Sequence, residues 1–132
     1  SLNTTTRMVI KNDGDIGINT EDPSSKFDVN GSISKAFTNT ETITNFILTE
    51  NHHTVRVSTN TTELILPNPS NCEGRVYTII GSNSMGATIA IFTITGGSNI
   101  FNDTTGLDIT QIVQGQRFTI QSTGSNYIVI GE

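Results

Sequence analysis

Twenty-two threonines and eighteen isoleucines stand against only three alanines in this chain. β-Branched side chains lose rotamer freedom in a helix and pack well on a pleated surface, so the chain is expected to be all-β. Runs of strand length recur between Gly, Asn, Asp and Pro clusters. The pattern predicts strands over residues 7–10, 16–18, 27–29, 54–58, 63–66, 75–80, 88–95, 108–113, 117–122 and 127–130. Residues 35–48 have the length of a short helix, but their Thr and Asn content opposes one.

Two regions differ in how they can be stabilised. From residue 54 onward apolar and polar residues alternate, as in Arg117-Phe118-Thr119-Ile120-Gln121. Period-2 alternation reads as a half-buried antiparallel sheet. Residues 54–132 are therefore expected to form an antiparallel, jelly-roll-like β-sandwich head, with 36–53 as a connector. Each buried Ile or Phe there contributes about 1.5–3 kcal/mol. Residues 1–35 hold too few large apolar side chains to offset backbone ordering of about 1–2 kcal/mol per residue. They are expected to associate with identical copies about a threefold axis, through Ile10, Ile16, Ile18, Phe27 and Val29.

The excess of 12 acidic over 7 basic side chains gives a net charge of −5 without a basic cluster, which argues against nucleic acid as a partner. No apolar run approaches the ~20 residues of a membrane-spanning helix, so membrane insertion is not expected. The one cysteine, Cys72, excludes an intrachain disulfide. The chain starts at Ser1, and is expected to be a piece of something longer.

The stretch Arg7-Met8-Val9-Ile10-Lys11-Asn12-Asp13-Gly14-Asp15-Ile16-Gly17-Ile18-Asn19-Thr20-Glu21-Asp22-Pro23, continued by Lys26-Phe27-Asp28-Val29-Asn30-Gly31, resembles a recurrent shaft module. That module occurs in bacteriophage tail fibres and in trimeric adhesive surface fibres of bacteria. It has a strand, an Asn/Asp-Gly turn, an Ile-Gly-Ile core, Thr-x-x-Pro and a Lys-Leu-Asp-Val-Asn-Gly closing segment. Phe27 stands where Leu is usual, and Asn19 where Gly often stands. Leu64-Ile65-Leu66-Pro67, Gly96-Gly97 and the run from Phe118 to Ile130 resemble terminal head domains of such fibres. The resemblance implies a homotrimeric, extracellular host-attachment fibre tip on a virion tail: a short fibrous shaft segment (1–35) followed by the head. A bacterial surface adhesin tip, and a trimerisation or folding cap without a ligand, remain open alternatives.

No residue pattern demands a cofactor or a catalytic role. His52-His53 invites a metal on a threefold axis, but adjacent strand residues point to opposite faces, so at most one ring per chain would reach an axis. Asn12-Asp13-Gly14-Asp15 lacks the downstream bidentate Glu of a calcium loop. Cys72 has no nucleophile signature around it. Asp103 and Asp108 read as turn-bonding residues rather than a glycosidase pair. Four Asn-x-Ser/Thr matches, at Asn3, Asn30, Asn60 and Asn102, are what so much Asn and Thr gives by chance.

The expected binding residues sit on two polar segments: Asn83 and Ser84, and Asn99, Phe101, Asn102 and Asp103. Their amides, hydroxyls and carboxylate suit sugar hydroxyls, and an exposed Phe101 would stack on a pyranose face. The expected partners are a host cell-surface glycan or protein receptor and two further copies of the chain.

Overall fold

The computed structural model describes residues 7–41 and 43–132. The Asn3-Thr4-Thr5 match lies outside them. Fourteen strands in three sheets and two short 3-10 turns make up the described secondary structure, which contains no α-helix. The chain divides into two compact units, residues 1–34 and 35–132.

The first unit is one three-stranded sheet of β1 (Met8–Ile10), β2 (Ile16–Ile18) and β3 (Phe27–Val29). The Lys11–Gly14 turn closes an antiparallel β1–β2 pair, with the Gly14 N–H donating to the Lys11 carbonyl at 3.0 Å. β3 returns parallel to β2. Asp28 accepts from the Ser24 backbone N–H at 2.8 Å and its hydroxyl at 2.9 Å. These bonds, the backbone one first, hold the Asp28 carboxyl below the usual Asp range. At Gly17 an added Cβ would lie 2.5 Å from the Thr20 carbonyl oxygen, so only glycine fits between Val9 and Thr20.

The second unit departs from the expected antiparallel sandwich. Its first six strands are β4 (Phe37–Asn39), β5 (Asn45–Ile47), β6 (Thr54–Val57), β7 (Glu63–Leu66), β8 (Val76–Gly81) and β9 (Ala90–Ile94). They alternate between two sheets, and every pairing among them is parallel: β4–β6–β8 in one sheet, β5–β7–β9 in the other. The chain therefore winds in three stacked coils, one strand per sheet per coil. Parallel neighbours need a crossover connection; here the crossover is the strand of the opposite sheet. Residues 36–53, expected as a connector, supply β4 and β5 and so form the first coil. The 35–48 segment contains no helix among its described residues, because its Thr and Ile side chains suit strands.

The remaining strands are β10 (Ile100–Asn102), β11 (Leu107–Asp108), β12 (Gln111–Ile112), β13 (Arg117–Ser122) and β14 (Tyr127–Gly131). They extend both sheets, to the orders β11-β10-β14-β13-β8-β6-β4 and β12-β9-β7-β5. β13 joins β8, and β12 joins β9, in antiparallel register. The sheets are thus mixed.

Burial follows the expected alternation. Val55 and Val57 of β6, Leu64 and Leu66 of β7, Tyr77 and Ile79 of β8 and Phe118 and Ile120 of β13 face one shared core. Where coils one and two turn the same corner, buried hydroxyls replace apolar side chains. Thr61 Oγ1 lies 2.6 Å from Thr40 Oγ1 and 2.7 Å from the Ile43 carbonyl oxygen, and the Ser58 N–H donates to Thr40 Oγ1 at 3.0 Å. Paired in this way, buried polar atoms avoid the desolvation cost of isolated ones. Gly81 ends β8 against the Val113 backbone: an added Cβ would stand 2.0 Å from the Val113 carbonyl oxygen.

The chain's two tyrosines are both buried. Tyr127 donates to the Pro67 carbonyl at 2.9 Å and lies 3.3 Å from Cys72 Sγ; Tyr77 donates to the Thr49 carbonyl at 3.1 Å. Burial raises both phenols above the ordinary range; at Tyr77 the bond from Arg75 opposes the rise.

Two predictions follow from this packing. Gly81→Ala forces the Val113 backbone to move and is expected to cost about 1–3 kcal/mol in denaturant unfolding. An unchanged midpoint would show that the approach is not fixed. Raising the pH through about 10 is expected to destabilise the fold, because the unfolded tyrosines lose protons that the folded ones keep. The slope is up to about 1.4 kcal/mol per pH unit for each tyrosine. Ultraviolet phenolate absorbance should stay low in the folded protein and appear together with unfolding. A smooth titration near pH 10 without unfolding would contradict the burial.

Candidate functional site

A groove of about 550 Å³ opens on the outer face of the seven-stranded sheet. Its position follows from strand register. Arg56 of β6 pairs with Ile80 of β8, and Ile80 pairs with Arg117 of β13. Their neighbours Val55, Val57, Ile79 and Phe118 face the core, so alternation turns Arg56, Ile80 and Arg117 to the outer face. With strands about 4.8 Å apart, the two arginine Cα atoms are about 10 Å apart across Ile80. Ser82, Asn83, Gly115, Gln116 and Glu132 complete the rim.

The rim is held by backbone bonds. The Gly81 N–H donates to the Gln116 carbonyl at 2.8 Å, and the Gly115 N–H to the Gly81 carbonyl at 2.9 Å. Gln116, an exposed residue, accepts at Oε1 from the Val113 N–H at 3.0 Å. Arg117 donates to Glu132 O at 3.3 Å. Among the described residues no hydrogen bond or ion pair reaches the Arg56 guanidinium.

The expected binding residues are distributed unevenly around this groove. Asn83 lines it, in the 3-10 turn Asn83–Met85. Ser84 is exposed on the same turn, its hydroxyl 2.6 Å from that of Ser82. The second segment is not a projecting loop, because Ile100–Asn102 is strand β10. Phe101 is half-buried and pairs with Asp108 and Ile128. Asn99 Nδ2 donates to Asp108 Oδ1 at 2.8 Å. Asn102 is 2% exposed: its Oδ1 accepts from the Thr104 and Thr105 N–H groups, and its Nδ2 donates to Glu132 Oε1 at 2.8 Å. Its amide therefore shapes a turn and positions a groove residue. Asp103 is exposed in that turn.

The other residues singled out have structural surroundings. His52 Nδ1 accepts from the Thr49 N–H at 2.9 Å, and its ring meets Phe46 edge-on at 5.1 Å. His53 lies 3.1 Å from Thr54 Oγ1, and partial burial, then Lys35, lowers its pKa. No group of three or more metal-ligating side chains occurs among the described residues. Cys72 is buried beside the Tyr127 hydroxyl. No helix among the described residues is long and apolar enough to cross a membrane.

Ile80, Gln116 and the two arginines were not singled out by sequence. Their only signal there is a cation at the outward phase of an alternating strand, in Thr54-Val55-Arg56-Val57 and in Arg117-Phe118-Thr119-Ile120. Comparison with protein-family models, curated proteins and solved structures returns no match to this chain.

Removing the buried Asn102 amide leaves two turn N–H groups and the Glu132 carboxylate without it. Asn102→Ala is expected to cost about 1–3 kcal/mol in denaturant unfolding, whereas Asp103→Ala should change stability by less than about 0.5 kcal/mol. Equal costs for the two would contradict the structural role of Asn102.

Proposed function

We propose that the chain is the tip of a homotrimeric, non-enzymatic attachment fibre. Residues 1–34 are its shaft segment, and the second unit is a two-sheet sandwich head of mixed pairing that meets a host-surface glycan or protein. One observation carries this reading. In the first unit, Met8, Ile18 and Val29 are paired across the sheet, as are Ile10, Ile16 and Phe27. Residues opposite one another share a face, so six apolar side chains lie on one side of a three-stranded sheet. Met8 is 55%, Ile10 64% and Phe27 59% exposed, and Gly17 is the only buried residue among those described in this unit. A sheet with a continuous apolar face and no core of its own needs a covering partner. Two further copies of the same face supply one, and closed cyclic symmetry leaves no face uncovered.

The five residues expected at the interface, Ile10, Ile16, Ile18, Phe27 and Val29, all lie on that face. The resemblance of residues 7–31 to fibre shaft modules supports the same reading and an extracellular, tail-fibre location. Three heads joined this way would raise the avidity of weak sites by effective concentration.

Light scattering should give about 43 kDa, three times the 14.2 kDa chain mass. Ile16→Asp puts a charge at the middle of the apolar face and should yield monomer whose second unit stays folded. A stable wild-type monomer would remove the fibre reading. Correct trimers that bind no host cells or host glycans would identify a folding cap instead.

A further inference from the structure

We infer that the groove between Arg56 and Arg117 is a subsite for a carboxylate-bearing sugar residue. The inference deepens the glycan-binding half of the proposed function and rests on it for biological meaning, while its chemistry stands on the groove alone.

The second unit holds four cations, Lys35, Arg56, Arg75 and Arg117, against seven acidic side chains. Two of the four flank one groove. They stand on either side of Ile80 in the strand register, with a single acidic residue, Glu132, among the lining residues. Glu132 is already engaged, since its carboxylate accepts from Asn102. Arg117 has one bond, to Glu132 O, and Arg56 has no side-chain partner among the described residues. A guanidinium presents several N–H donors in a planar fork that matches a carboxylate. Arg56, a half-buried residue, therefore carries a guanidinium with no protein acceptor among the described residues.

The rest of the groove suits a sugar better than a bare anion. Ile80 supplies an apolar floor between the arginines, against which the C–H face of a pyranose can lie. Asn83 and Gln116 sit on the rim, and side-chain amides of this kind bond hydroxyl groups. Gly115 adds backbone without a side chain to the rim. An apolar floor, rim amides and a cation pair together favour an acidic sugar; a neutral hexose would bring the Arg56 guanidinium no counter-charge.

The test is backbone-amide NMR of the full chain, titrated with sodium glucuronate and N-acetylneuraminate, with glucose and sodium acetate as controls. The expected result is saturable shifts at Arg56, Ile80, Gly81, Gln116 and Arg117 with at least one acidic sugar. Glucose should leave these signals unmoved, and acetate should bind at least tenfold more weakly than the sugar. Arg56→Gln removes the guanidinium while keeping most of the side-chain stem, and should weaken acidic-sugar binding at least tenfold while leaving signals remote from the groove unchanged. No groove shifts with either acidic sugar would overturn the inference, as would equal affinity for acetate, which marks an anion site without sugar recognition. Neither result depends on trimer mass or host-cell binding, so the fibre reading stands or falls separately.

Discussion

An apolar sheet face with no core of its own among the described residues of its unit is the constraint on which this structure turns. Strands of three residues exchange few hydrogen bonds, and ordering their backbone costs about 1–2 kcal/mol per residue. Burial of six apolar side chains, at about 1.5–3 kcal/mol each, offsets a useful part of that cost only if something covers them. In the single chain Met8, Ile10 and Phe27 stay exposed and Ile16, Ile18 and Val29 are only half-buried. On the reverse side Val9 and Thr20 both close on Gly17, so the sheet is tightly built there, while Met8, Ile10 and Phe27 stand exposed on the other side.

The second unit solves the opposite problem. Its three parallel coils wrap one core, and each new coil hydrogen-bonds to the one before. Stacking leaves every outward position of a strand in line with those of its neighbours. That geometry places Arg56, Ile80 and Arg117 side by side, although they are far apart along the chain. The groove is thus a consequence of register: a rigid three-strand row supplies the cations and the floor, and the Gly81–Gln116 backbone pairing fixes the rim.

Much of this was legible in the residues, and the failures have physical causes. β2, β3, β7 and β13 matched their expected limits because Ile-Gly-Ile, Phe-Asp-Val and the alternating runs carry a clear phase. The inward placement of Phe118 and Ile120 follows from the same phase. Strand direction does not, because a period of two is common to parallel and antiparallel sheets. β4 and β5 lie in the expected connector: their short runs of Thr and Asn carry no strand phase of their own, and only the stacked corner at Thr40, Ser58 and Thr61 gives these residues partners. Asn102 looked like a solvent-facing ligand residue and proved a buried brace, since only the fold supplies its partners Thr104, Thr105 and Glu132. The arginine groove was illegible because no local spacing joins strands β6, β8 and β13.

Amide hydrogen exchange in the first unit, followed as the protein is diluted, tests the central claim most directly. If copies of the chain cover the apolar face, the Val9, Ile10, Ile16 and Ile18 amides will be protected at high concentration and will lose protection together on dilution, while the core amides of β6 and β8 stay protected. Protection of the first unit that is independent of concentration, in a protein that remains monomeric, would contradict the account.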